Sequence, residues 1–101
     1  MPEKEWSVGF GDFALIVRRT TRKGELIEFA VVLVAFVCGE WVNITRYDTA
    51  HGTPHRDILG MNQGLRFKRW MDDIAFPEAF EYAIRDCKEN AEIYLADFHA
   101  H

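Results

Sequence analysis

Leu26-Ile27-Glu28-Phe29-Ala30-Val31-Val32-Leu33-Val34-Ala35-Phe36-Val37 is the stretch on which the fold turns. Its β-branched and aromatic content, with Gly39 as a stop, favours one long central strand over a helix. The apolar run from Phe29 to Cys38 is too short to cross a bilayer as a helix, which needs about 20 residues. Its apolar side chains fall on both faces, so both faces call for cover. One helix can cover one face; the other is left to an N-terminal arm or to a second subunit, so a homodimer is one of two expectations.

Working outward, Ala14 to Thr21 is a strand rich in β-formers at Leu15, Ile16 and Val17, and the Arg22-Lys23-Gly24 turn joins it to the central strand as a hairpin. Residues 1–12 mix charge with Trp6, Phe10 and two glycines, and read as an arm that plugs its aromatics into the core. Downstream, Gly39-Glu40 turns the chain into a third strand, Trp41 to Asp48, where Val42 and Ile44 alternate with Asn43 and Thr45. A fourth runs from His55 to Leu59, and a fifth from Leu65 to Met71 after a turn at Met61-Asn62-Gln63-Gly64. From Pro77 onward Phe80, Ala83, Ile84, Cys87, Ala91, Tyr94, Leu95 and Phe98 recur at helical spacing, opposite a charged side of Glu81, Arg85, Asp86, Lys88, Glu89 and Glu92. The expectation is one α+β domain over residues 1–101, an antiparallel four- or five-stranded meander with one C-terminal helix packed on one face.

Composition narrows the class. At 101 residues the chain has the length of one domain, and 49% hydrophobic with 28% charged residues is the balance of a globular protein, too apolar for disorder. The N-terminus has no basic region followed by an apolar one, so no signal peptide is expected and the location expected is cytoplasmic, away from membranes. Cys38 and Cys87 are expected as buried, reduced thiols. A net charge of −4 gives no global pull on nucleic acid but leaves room for a local basic site.

The densest chemistry is Arg46-Tyr47-Asp48-Thr49-Ala50-His51-Gly52-Thr53-Pro54-His55-Arg56-Asp57. If the third and fourth strands form an antiparallel hairpin with Thr49 to Pro54 at its tip, Asp48 lies opposite His55, Tyr47 opposite Arg56, Arg46 opposite Asp57 and Thr45 opposite Ile58. Opposed residues share a face, so Val42, Ile44 and Leu59 would share one with Arg46, Asp57, Asp48 and His55, and the loop would bring His51 above Asp48 and His55. Gly52 and Pro54 forbid a helical His-x-x-x-His zinc site.

Three readings of the cluster follow. In the first, His51 and His55 act as general base and acid on a phosphodiester, Arg46 and Arg56 stabilise the charge, Asp48 orients a histidine, and Tyr47 and Asp57 contact substrate; this metal-independent ribonuclease chemistry needs no cofactor. The second is a divalent metal held by His51, His55, Asp48 and Asp57. The third is structural: cross-strand pairs worth roughly 0.2–1 kcal/mol each, with Tyr47 packed under Arg56.

The same twelve residues resemble the core motif, RYD-x-AHG-x-x-HRD, of small uncharacterised prokaryotic proteins, and more distantly the Arg-Tyr-Asp plus histidine signature of TumE-like toxin components of toxin–antitoxin systems. Where those toxins have adjacent histidines, this chain has His51 and His55 separated by Gly52-Thr53-Pro54. The resemblance implies a toxin-like protein that processes or binds RNA, with RNA and an antitoxin-like protein as partners. A non-enzymatic interaction module, homodimeric or partner-dependent, is the alternative. Elsewhere, Arg66, Lys68, Arg69 and Trp70 mix basic and aromatic residues as a nucleic-acid surface would, but a plain amphipathic edge strand is the favoured reading, since lysine on an edge also discourages aggregation; Arg18, Arg19, Arg22 and Lys23 read as a solvated hairpin end, and His99 and His101 as a frayed tail.

Overall fold

A computed structural model of the chain describes residues 3–49 and 52–101. The elements are β1 (Glu3–Phe10), β2 (Phe13–Arg22), β3 (Glu25–Val37), β4 (Glu40–Asp48), β5 (His55–Gly60), β6 (Gly64–Trp70) and α1 (Phe76–His99). The strands form one sheet in sequence order, each antiparallel to its neighbours, and α1 packs across one face.

The α+β class and the single C-terminal helix are as expected, but the sheet has six strands rather than four or five. The extra one is the supposed arm: Glu3 to Phe10 pairs residue by residue with Thr20 to Phe13. Trp6, Val8 and Phe10 alternate along it as in a strand, a pattern masked by the charged run before them and by Gly9 and Gly11. Trp6 is not plugged into the core; it meets Phe80 edge to face with ring centroids 6.5 Å apart and stays 37% exposed.

Alternation along β2 and β3 builds the core. Phe13, Leu15 and Val17 stand beside Phe29, Val31, Leu33 and Ala35 under the helix, and full burial of side chains such as Leu15 and Leu33 stabilises by about 1.5–3 kcal/mol each. The helix answers with Ala79, Ala83, Cys87 and Ala91, spaced four apart, whose small size lets it lie close to the sheet. It begins at Phe76 after Ala75, with Pro77 in the first turn. Asn90 leaves helical geometry at φ −117°, ψ 17° and kinks it.

The β3–β4 ladder shifts register between Leu33 and Val34, and this corrects the expected face assignment. Past that bulge the parity of β4 changes, so Ile44 and Tyr47, three residues apart, both belong to the helix-side core, and Val42 and Leu59 also pack against it. Val42 and Ile44 therefore do not share a face with Arg46 and Asp48. The opposite face carries Ile16, Val32, Val34 and Phe36, and among the described residues no arm covers it: Ile16 and Phe36 are exposed, with Phe36 against Trp41 at 5.4 Å.

Two further expectations fail at the turns. Cys38 is exposed, because β3 ends at Val37 and Cys38 and Gly39 form the turn at φ 50° and 86°, a pair of positive φ values suited to a two-residue hairpin. The C-terminus is docked rather than frayed: Met61 N donates to the Phe98 carbonyl at 3.0 Å and Asn62 N to the His101 carbonyl at 3.1 Å. Gly60 makes room for it, since a Cβ there would lie 2.9 Å from Arg66 Cδ and 3.0 Å from His101 Cβ. Among the described residues no helix is long and apolar enough to cross a membrane.

Candidate functional site

The β4–β5 hairpin has the register that its side chains require: Thr45 opposite Ile58, Arg46 opposite Asp57, Tyr47 opposite Arg56 and Asp48 opposite His55. Alternation then sorts the motif onto two faces. Tyr47 and Arg56 go to the helix side, and Arg46, Asp48, His55 and Asp57 to the other. His51 lies outside the described residues, so its expected position above the pair does too.

On the face away from the helix the four meet as a charge-paired cluster. Asp57, 2% exposed, accepts from Arg46 Nη2 at 2.8 Å and from Lys68 Nζ at 2.7 Å. Arg46 Nε also reaches Asp48 at 3.0 Å. The His55 ring is buried, with Nε2 3.0 Å from Asp48 Oδ1, Nδ1 3.1 Å from the Thr53 carbonyl, and Trp70 tilted against it at 4.9 Å. Burial works to raise the Asp57 carboxyl pKa, but the hydrogen bonds and charges of Lys68 and Arg46 outweigh it and hold the group below the ordinary carboxylate range.

Lys68 was not foreseen as part of this cluster. Its signal was spacing: β6 pairs Lys68 with Asp57 and Trp70 with His55, so the register of one more hairpin would have found both. Asp48, His55 and Asp57 offer one ligand atom each within 4.8 Å of one another, the donor types of a divalent metal site. Two cationic side chains already occupy the carboxylates, so the donor set fits Arg46 and Lys68 better than an ion. In this arrangement both His55 ring nitrogens are engaged and the ring is closed off from solvent.

The helix side carries a second network. The Tyr47 hydroxyl donates to Asp86 at 2.7 Å, the Tyr94 hydroxyl to the same carboxylate at 2.7 Å, and Asn90 Nδ2 at 2.8 Å. Asp86 is therefore buried beneath the sheet, not on the charged outer side of the helix; Asn90 and Tyr94, four and eight residues on, were the available signal. Burial, then the hydrogen bond and charge of Asp86, push both phenols well above their usual range. Burial and the Asp86 charge likewise push the Cys87 thiol up to about 12. Arg56 does not sit over Tyr47 as expected. Its guanidinium stacks on Tyr94, 3.9 Å from the ring centroid, and its Nε donates to Thr45 Oγ1 at 2.9 Å, because Tyr47 is turned down to Asp86.

Beside that network a cleft of about 220 Å³ opens between β6 and the first turns of α1, lined by Tyr47, Arg56, Arg69, Trp70, Met71, Ile74 and Tyr82. Of its lining residues Trp70 and Tyr82 are 49% and 43% exposed, and Phe67, three residues before Trp70 on β6, is 44% exposed. Guanidinium carbons lie near these rings: Arg66 at 5.4 Å and Arg69 at 5.9 Å from Phe67, and Arg85 at 5.9 Å from Tyr82.

Fold and site together define a two-layer α+β protein with a self-neutralised polar cluster on one sheet face and an arginine-rich aromatic cleft beside the helix. The chain belongs to the family described as a domain of unknown function (DUF7718), which matches residues 1–101. No curated protein and no solved structure matches it.

Proposed function

We propose that this chain is an RNA-binding protein that engages a single strand at the β6 edge and the adjoining cleft. The observation that carries the reading is the cleft that Arg56 and Arg69 line together with Trp70 and Tyr82, both exposed, and beside it on β6 the exposed Phe67 ring with the Arg66 and Arg69 guanidiniums near it. Bases stack on exposed aromatics with little regard to sequence, and arginines supply charge and further stacking. Binding fits the cluster around His55 better than cleavage does, since that imidazole is sealed between Asp48, Thr53 and Trp70. The toxin side of the resemblance is a separate proposal, tested by growth on expression and its relief by an antitoxin-like partner.

The direct test is fluorescence anisotropy of a labelled oligouridine at low salt. The expected results are saturable binding, weakening as salt rises, loss of most affinity in Trp70→Ala and Arg69→Glu, and RNA that remains intact on a gel. Absence of binding at low salt refutes RNA recognition, and RNA cleavage that disappears in His55→Ala restores the catalytic reading. The interaction-module reading draws on one observation, the uncovered apolar face with Ile16, Phe36 and Trp41 exposed. There a second copy would complete a sandwich, and a concentration-dependent dimer abolished by Phe36→Glu is its expected signature in sedimentation.

A further inference from the structure

We propose that Arg56 and Arg69 form a subsite for a terminal phosphate, so that the ligand at this edge is a nucleotide chain end carrying a phosphomonoester. The inference rests on the RNA-binding reading for its ligand class, but its geometry stands apart from the stacking platform. Arg56 and Arg69 are directly opposed residues of the β5–β6 ladder and line the same cleft. Like charges in opposed positions, with Cβ atoms about 5 Å apart, destabilise a sheet unless something of opposite charge lies between them. Among the described residues neither arginine has a carboxylate within ion-pair distance, whereas Arg46, Arg66 and Lys68 each have one at 2.7–2.8 Å.

Arg56 is nonetheless held rigidly. It is partly buried, fixed by Thr45 through Nε and by the Tyr94 ring below. That leaves its terminal nitrogens without a protein partner, and since no buried side-chain nitrogen or oxygen among the described residues lacks one, they are open to solvent on a residue that lines the cleft. The nearby carboxylate of Asp86 is taken by Tyr47, Tyr94 and Asn90. A guanidinium immobilised before the ligand arrives loses little freedom on binding and presents a planar fork suited to phosphate oxygens. A phosphomonoester, carrying about −1.5 to −2 at neutral pH, balances two guanidiniums where an internal diester, with a single charge, does not.

The test compares one labelled oligouridine bearing a 5′-phosphate with the same strand ending in a 5′-hydroxyl, in phosphate-free buffer. Uridine monophosphate and inorganic phosphate are added as thermal-shift ligands, and Arg69→Gln serves beside Arg56→Gln because Arg69 is exposed and its loss leaves the fold intact. The phosphorylated end should bind at least about tenfold tighter, as a single charged hydrogen bond implies, and the preference should vanish in Arg69→Gln. Equal affinity for the two ends, or a preference that survives in Arg69→Gln, overturns the subsite and leaves RNA binding standing. If neither strand binds while uridine monophosphate or inorganic phosphate stabilises the wild type and not Arg69→Gln, the subsite stands and the RNA reading falls.

Discussion

Replacing Asp57 by asparagine removes one charge from the centre of the cluster and leaves its shape. The carboxylate accepts from Lys68 at 2.7 Å and Arg46 at 2.8 Å while itself 2% exposed. Charged hydrogen bonds contribute about 1.5–3 kcal/mol each, but Arg46 and Lys68 are 46% and 31% exposed and regain water when released. The expected cost at pH 7 is therefore roughly 2–3 kcal/mol, or about 10 °C in Tm for a domain of this size. The pH dependence follows from the depressed carboxyl: its contribution is fully present above the ordinary value of 3.8 and is lost as pH falls through the lower folded value. Urea unfolding followed by tryptophan fluorescence, from neutral pH into the acid range, should find the gap between wild type and Asp57→Asn wide at neutrality and closing below about pH 4. A gap under about 0.5 kcal/mol at pH 7, the range of an ordinary surface change, or one that does not narrow in acid, refutes the argument.

Tyr47→Phe should cost about 1–2 kcal/mol in the same assay, since it deletes one of the donors to buried Asp86; no change would mean that the network is solvated. With Tyr47, Tyr94 and Cys87 all raised, the stability they contribute is complete below their ordinary values of 9.0 for the thiol and 10.0 for the phenols, and is lost as pH rises through the folded ones. Phenolate absorbance from Tyr47 and Tyr94 should thus appear together with alkaline unfolding, and an earlier titration in the folded state would contradict their burial. A thiol reagent at neutral pH should label exposed Cys38 within the mixing time and Cys87 only in denaturant, and two fast thiols would be the contrary result. Gly60→Ala forces a Cβ to within 3.1 Å of the His101 backbone, so it should cost about 1–3 kcal/mol and expose the C-terminus to carboxypeptidase; resistance equal to wild type would show that the tail is not seated there.

How legible each part was in the sequence depended on whether one residue's neighbours constrained it. The register of β4 and β5 was readable because three chemically matched pairs agree on a single alignment, Arg46 with Asp57, Asp48 with His55 and Tyr47 with Arg56. Faces were not readable beyond the bulges at Leu33/Val34 and Ile58/Leu59, because a bulge inserts one residue with no compositional mark and reverses the parity of everything past it. That is why Val42 and Ile44 changed sides. Asp86 was misplaced for a different reason: hydropathy assigns a lone aspartate to solvent, and only its tertiary donors Tyr47 and Tyr94 make burial tolerable. β1 did carry a signal, Trp6, Val8 and Phe10 alternating with Ser7 and Gly9, but the charges before it and the two glycines in and after it made the segment read as an arm.

The two faces of the β4–β5 hairpin divide the work between them. Asp57 bridges Arg46 on β4 and Lys68 on β6, so it ties three strands at one level. A slip of one residue in either ladder would carry Asp57 to the helix side, among Tyr47, Tyr94 and a carboxylate already saturated, leaving two lysine and arginine charges unpaired on the other face. Sheet registers with a buried face are already specified by their apolar residues, but here the face away from the helix is partly open, and the charge-paired cluster supplies the specification that burial does not. The consequence reaches the cleft. With register fixed from one side of the sheet, Arg56 and Arg69 are held opposite each other on the other side, in a like-charge pairing that the ladder alone would resist and that an anionic ligand relieves.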